Sequence, residues 1–267
     1  MISSPANEKV KHVCALNKKA ALREEEGVFV AEGVRLFEEI PPGDIKEAYF
    51  TEEGLRVLKE RGHSDPEQLL RDGRAEEVSL PVMEKMSDVV TPQGVLAVVK
   101  RRKHDWEELL PEGKAPLLIL LEDIQDPGNL GTVLRTAEAA GAHGVILAGN
   151  TADIYSPKVV RSTMGAIFRL PFMRLSDLSF CFGTLRSRGV KIHAAAMEGA
   201  EVFSGRDYLG PTAFVIGNEG KGLKKETIDG ADDSVFIPMA GKTESLNASV
   251  SAALLLYEAA RQRGYQK

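Results

Sequence analysis

The feature that most constrains the fold is LLILLEDI, residues 117–124, a nearly unbroken apolar run. A strand with one wet face alternates apolar and polar side chains. A run that is apolar throughout suits a strand buried on both faces, as inside a parallel sheet. The chain beyond this run points the same way. Strands are predicted at 117–124, 144–148, 190–196, 213–216 and 235–237. Between them, helices are expected over 131–140, closed by Gly141, over 156–168, with Pro157 in the first turn, and over 247–263. Such alternation predicts an α/β domain whose parallel sheet is covered on both sides.

Residues 7–103 read differently. Short strand-like runs (VFVA, EAYF, EEVSL, VLAVV) alternate with charged helical stretches such as NEKVKHVCALNKKAALREEE. The segment RRKHDWEELLPEGKAP, ending at Pro116, mixes charges with one Trp, two prolines and a glycine, and reads as a linker. The expected division is a domain at 1–104, a linker at 105–116 and a domain at 117–267. With 43% hydrophobic and 27% charged residues the chain can bury a full core. No apolar run approaches the roughly 20 residues needed to span a bilayer, and the start of the chain lacks the apolar stretch of a signal peptide. A cytoplasmic protein with no membrane partner is expected. Cys14 and Cys181 match no ligand spacing and are expected to be buried free thiols; no metal site is expected. The net charge of −5 gives no global basic signature, so local patches must hold any nucleic acid.

Ligands of open parallel sheets bind at the carboxyl ends of the strands. Three loops there, QDPGNLG, GNEGKG and MAGKTESLN, are rich in Gly, Asn and acidic residues, which suggests one shared pocket. In the first, Asn129 is placed to cap the following helix, and Leu130, Val133, Leu134 and Ala137 share the face that packs on the sheet. Arg135 lies off that stripe, four residues after Gly131, and leans back towards the loop. A helix N-terminus favours anions, so an Arg aimed there makes sense if a phosphate or carboxylate sits between. Otherwise it is a surface Arg paired with Glu138. In the second loop Glu219 stands on a glycine turn, where polar ligand groups are often held; an ordinary strand–turn–helix connection reads the same way. Neither G-x-G-x-x-G nor a P-loop occurs anywhere, which weighs against a nucleotide-dependent oxidoreductase. In the third, Ser245, Leu246 and Asn247 start the last helix, with Asn247 or Ser245 as N-cap. Val250, Ala253, Leu254 and Tyr257 have the spacing of a core face.

Together, and in this order, the three motifs resemble those of the SpoU (TrmH) family of SPOUT methyltransferases, over about residues 117–263 and including STMGAIFRLPF. The resemblance implies an α/β trefoil-knot methyltransferase domain that binds S-adenosylmethionine mostly through backbone groups. The matching cofactor positions are Gly217, Ile237 and Leu246, with Ala195 and Ala196 nearby. It assigns the catalytic step to Arg135, with Asn129, Glu219, Ser245 and Asn247 orienting it and the ribose, and implies a homodimer formed through the knot. VFVAEGVRLFEE and TPQGVLAVVK resemble the small α/β substrate-binding domain often attached to this family, which is similar to ribosomal proteins that bind RNA.

The implied activity is methylation of a ribose 2′-hydroxyl in structured RNA, large-subunit ribosomal RNA before transfer RNA, with no role for DNA. A non-catalytic RNA-binding or ribosome-assembly protein on the same fold is the alternative from another class. Phosphate contacts are expected from Lys9, Lys11, Lys18, Lys19 and Arg23, from residues 101–103, and from Lys158, Arg161 and Arg169. A charge run is also what a solvated face looks like, and Glu24, Glu25 and Glu26 follow the first cluster directly.

Overall fold

The computed structural model describes residues 1–62, 65–197 and 200–265. In chain order the elements are α1 (Glu8–Lys18), α2 (Ala20–Glu25), β1 (Val28–Glu32), α3 (Val34–Glu39), β2 (Ile45–Phe50), α4 (Glu52–Glu60), α5 (Asp65–Arg71), β3 (Ala75–Glu77), α6 (Leu80–Met86) and β4 (Val95–Lys100). There follow α7 (Trp106–Leu109), β5 (Leu117–Glu122), α8 (Pro127–Ala139), β6 (Gly144–Ala148), α9 (Pro157–Ser162), β7 (Phe172–Leu175), α10 (Ser179–Ser187) and β8 (Lys191–Ala195). The chain closes with β9 (Glu201–Val202), β10 (Thr212–Ile216), α11 (Lys225–Gly230), β11 (Asp233–Phe236) and α12 (Ala248–Gln262). Two compact units result: Met1–Arg102 with Asp153–Phe168, and Lys103–Ala152 with Arg169–Lys267.

The first unit is built on a four-stranded sheet of order β1-β4-β2-β3, antiparallel except for the β2–β3 pair. Val28 and Val30, Leu96 and Val98, and Tyr49 form a core with Val10, Val13 and Leu16 of α1 and Val82, Met83 and Met86 of α6. On β1, Phe29 alternates with those residues and meets Tyr155 and Phe168, ring centroids 4.9 and 6.0 Å away. The period-2 alternation of a strand thus fills two layers from one segment. The helix expected over 156–168 stops after Ser162. Met164 and Gly165 adopt positive φ of 50° and 93°, and a 3-10 turn over Ala166–Phe168 completes the segment.

The second unit contains a seven-stranded, all-parallel sheet of order β7-β6-β5-β10-β8-β11-β9. Both faces of β5 are buried, as the apolar run requires. One face packs Leu118, Leu120, Ile146, Ala213 and Val215 against Cys181, Phe182 and Leu185 of α10 and against Leu109 and Leu110. Burial pushes the Cys181 thiol up to about 12, so it is an inert core residue. Cys14, by contrast, is only half-buried. Helices α8 and α12 pack on each other and near β5, β6 and β10.

Two sequence expectations shift here. Helix α8 begins at Pro127, four residues early, and its N-cap is Asp126, whose Oδ1 accepts from the Asn129 N–H at 2.8 Å. Asn129 therefore lies inside the first turn, its side chain freed from capping. On α12 the inward face is Ala248, Ala252, Leu255, Leu256 and Ala259, while Val250, Leu254 and Tyr257 are exposed at 45%, 39% and 44%. A segment apolar on nearly every side fits the helical period in more than one phase, and a face of three alanines and two leucines took the inner one.

Candidate functional site

Strands β5 and β10 lie side by side, yet the chain leaves β5 towards β6 and leaves β10 towards β11, on opposite sides. Such divergence opens a crevice at the carboxyl ends of the strands. The loops after β5, β10 and β11 all end there.

Their side chains meet. Asn129 Nδ2 donates to Glu219 Oε1. Asn247 Nδ2 donates to Asn129 Oδ1 at 3.0 Å and lies 3.5 Å from Glu219 Oε1. The Asn247 Oδ1 accepts from Ser249 N at 2.9 Å, so Asn247 is at once the N-cap of α12 and a member of the cluster. Each amide has its oxygen and nitrogen committed to different partners, which fixes both orientations. The three segments are 90 and 118 residues apart in sequence, so the cluster reports the tertiary fold.

The loop after β10 is shaped by Asn218. Its Oδ1 accepts from Gly220 N at 2.9 Å and Lys221 N at 3.1 Å, and its Nδ2 donates to the Asp123 carbonyl at 3.0 Å. Asp123 holds a left-handed backbone, φ 57°, at the end of β5. Strained residues of this kind concentrate at functional sites. The other end of the loop is anchored by Glu122, only 1% exposed, whose carboxylate accepts from Lys224 N at 2.9 Å and Thr227 Oγ1 at 2.8 Å. The Lys224 ammonium lies 3.4 Å from Glu122, 3.6 Å from Asp123 and 3.9 Å from Asp177. Partial desolvation lowers its pKa, and the attraction of the three carboxylates outweighs that and raises it. Asn218 and Glu122 hold the loop in shape, and the sequence reading assigned neither of them that part. An acid closing an apolar strand and an Asn in a glycine loop are both ordinary, and only their long-range partners reveal them.

Beneath the cluster lies a cavity of about 410 Å³, lined in part by Ala195, Ala196, Gly217, Ile237, Leu246 and Ser245. The five positions expected to bind a cofactor therefore share one space. A Cβ on Gly217 would stand 2.5 Å from the Gly222 carbonyl carbon and oxygen, closer than any real contact. Overpacking of this kind typically costs about 1–3 kcal/mol. Gly217→Ala is therefore expected to weaken cofactor binding by about 5- to 150-fold by calorimetry. Retained affinity would show that the turn opens freely.

Arg135 is exposed on α8 and, among the described residues, its side chain makes no hydrogen bond or ion pair. The alternative pairing with Glu138 does not form, because Arg169 Nε takes Glu138 Oε1 at 2.9 Å. Of the expected phosphate contacts, Arg23 is corrected. It is 4% exposed, and its guanidinium binds the Leu16 and Asn17 carbonyls and Asp153, which makes it a structural residue. Arg161 is paired with Asp88 at 3.0 Å, Lys9 with Glu76 and Lys11 with Glu8. Lys18 and Lys19 are exposed and, among the described residues, have no ion pair.

Residues 116–257 match the SpoU rRNA Methylase family, and residues 7–97 match the MRM3-like substrate binding domain. The chain is 33% identical over 258 residues to the 23S rRNA (guanosine(2553)-2′-O)-methyltransferase RlmP of Bacillus subtilis, covering 96% of this chain and 97% of that protein. The crystal structure of an AdoMet-bound rRNA methyltransferase from Sinorhizobium meliloti matches at a TM-score of 0.86 and 31% identity, covering 97% of both chains. The SpoU methyltransferase AviRb from Streptomyces viridochromogenes, in complex with AdoMet, matches at 0.83 and 31% identity, covering 98% of this chain and 100% of that one. The chain belongs to the SpoU rRNA methylase family.

Proposed function

We propose that the protein transfers a methyl group from S-adenosylmethionine to a ribose 2′-hydroxyl of structured RNA, namely ribosomal RNA of the large subunit. The observation that carries this reading is the Asn129–Glu219–Asn247 cluster at the lip of a cavity containing Gly217, Ile237 and Leu246. The cavity fits the cofactor. Its volume lies within the roughly 300–1,000 Å³ usual for small-molecule sites. Its aliphatic walls suit an adenosine, its loops present backbone groups, and Glu219 and Glu244 offset a positive ligand. Gly217, Ile237, Leu246, Ala195 and Ala196 are the residues that hold it.

When bound, the cofactor supplies an activated methyl on a sulfonium. The chain's own task is to place the ribose oxygen in line and to help its proton leave. An isolated guanidinium, with a pKa above about 12, is a poor base. Arg135 therefore holds the phosphate of the target nucleotide and lowers the cost of charge on the 2′-oxygen as its proton passes to water, while the locked amides of Asn129 and Asn247, with Glu219 and Ser245, orient the ribose. Nothing in this scheme needs a metal.

The reading extends to organisation. Residues 1–104 act as the RNA substrate-binding domain and 117–267 as the methyltransferase domain, supported by the two family matches, with two amendments: 105–116 is no free connection, since Leu109 and Leu110 pack in the core of the second unit, and 153–168 folds with the first. The RNA-binding role of the first is the one expected from its likeness to RNA-binding ribosomal proteins; Lys18 and Lys19 supply phosphate contacts there, and Lys9, Lys11 and Arg161 do so on exchanging their intramolecular partners. The segment after β11 threads through a loop to form the trefoil knot that the family likeness implies, a reading supported by the packing of α12 on α8 and β5. The protein works in the cytoplasm, where its substrate is made.

It works as a homodimer. Val250, Leu254 and Tyr257 form an exposed apolar stripe on α12, continued by Phe203 and Tyr265, of the kind that a second copy covers. Wild type is expected to sediment at twice the 29.0 kDa chain mass, and Leu254→Glu at that mass. A Leu254→Glu dimer would place the interface elsewhere.

The activity is tested by mapping 2′-O-methyl groups in RNA from cells with and without the protein. One large-subunit position should lose its methyl group. Loss confined to transfer RNA would reassign the substrate, and no loss at any ribose would remove the activity.

A further inference from the structure

The loop after β10 carries two lysines with opposite surroundings. Lys224 is gripped by three carboxylates. Lys221 lines the cavity, is exposed, and among the described residues its ammonium has neither a hydrogen bond nor an ion pair. Its backbone is nonetheless held in place: its N–H donates to Asn218 Oδ1 at 3.1 Å, and Gly222 N donates to the Asn218 carbonyl at 2.8 Å. The base of the side chain is rigid while its charge is unanswered.

That charge is out of place on a cavity for S-adenosylmethionine. The cofactor carries a sulfonium, an ammonium and one carboxylate, so it is net positive, and a further cation at the rim opposes its binding. Glu219 and Glu244 line the same cavity and face the cofactor's positive charge, and among the described residues neither forms an ion pair with the Lys221 ammonium. The mismatch disappears if an anion arrives with the other substrate. With a net charge of −5 the chain as a whole repels RNA, so an ammonium at the rim is worth more to RNA binding than it would be on a basic protein.

We propose that Lys221 is a substrate-binding residue that clamps a backbone phosphate of the RNA strand at the mouth of the cavity, separate from the phosphate held by Arg135. The inference rests on the methyltransferase reading above. A pre-held backbone lowers the ordering cost of the contact, and a point charge on a flexible stem tolerates the varied geometry of RNA phosphates.

The test compares the full-length wild type with Lys221→Ala and Lys221→Arg. Methyl transfer to ribosomal RNA is measured against RNA concentration at several KCl concentrations, and S-adenosylmethionine affinity is measured by calorimetry without RNA. For Lys221→Ala the KM for RNA should rise roughly 5- to 20-fold, with kcat far less affected. The slope of log KM against log salt should shrink by about 0.7–0.9, the signature of one lost phosphate contact. Cofactor affinity should stay within about twofold, and Lys221→Arg should restore most of the KM, since it keeps the charge. An unchanged KM and salt slope would overturn the proposal. So would a loss confined to cofactor affinity, which would assign the ammonium to the cofactor's carboxylate. If the wild type itself transfers no methyl group, the methyltransferase reading fails first; a fully active Lys221→Ala sinks the clamp alone.

Discussion

Arg135→Ala is expected to lower kcat for methyl transfer by about 10²- to 10³-fold while leaving the fold and cofactor affinity intact. The prediction is sharp because the structure gives Arg135 so little else to do. It is exposed and, among the described residues, its side chain makes no hydrogen bond or ion pair. Substitutions at such surface positions usually change stability by no more than about 0.5 kcal/mol, and alanine is the better helix former. A residue retained for structure would show the reverse pattern, loss of stability with activity kept. Arg135→Lys keeps the charge but loses the planar fork that matches a phosphate, so its activity should fall between the two. Single-turnover rates and thermal melts on the same preparations separate the outcomes. Near-wild-type turnover in Arg135→Ala would remove the proposed role.

The second large effect concerns stability. Glu122→Ala is expected to cost roughly 2–4 kcal/mol, because it leaves buried donors without a partner. The carboxylate is 1% exposed, and the Thr227 hydroxyl it accepts from belongs to a residue 4% exposed. The Lys224 ammonium is 44% exposed, so water replaces part of that ion pair and most of the cost comes from the hydrogen bonds. Glu122→Gln, which still accepts, should cost about half as much. Urea denaturation monitored by circular dichroism reads both. A shift below about 0.5 kcal/mol in Glu122→Ala would show that Glu122 does not anchor the loop.

How much of this was legible in the sequence depended on the range of the interactions. Strand β5 could be read because burial on both faces writes itself into one contiguous segment. The three polar loops could be placed together because parallel strands put their carboxyl ends on one edge. The start of α8 was misplaced although Asp126-Pro127 is a cap-and-first-turn pair, because the nearby Asn129 was an equally good capping residue. The phase of α12 was undecidable locally, since ASVSAALLLYEAA offers apolar residues on several faces. Arg23 sits in a charge run that looks solvated, and its burial depends on Asp153, 130 residues away. Glu122, the amide cluster and the bond from Asn218 to the Asp123 carbonyl are likewise set by partners that only the tertiary fold brings near.

The central claim is that one guanidinium and one cluster of locked amides serve methyl transfer to a ribose oxygen. It is tested most directly by incubating the purified protein with ribosomal RNA and methyl-labelled S-adenosylmethionine, digesting the RNA to nucleosides and identifying the labelled one. The account predicts label in a single 2′-O-methylnucleoside. Label on a base, or none from a folded protein that binds the cofactor, would contradict it.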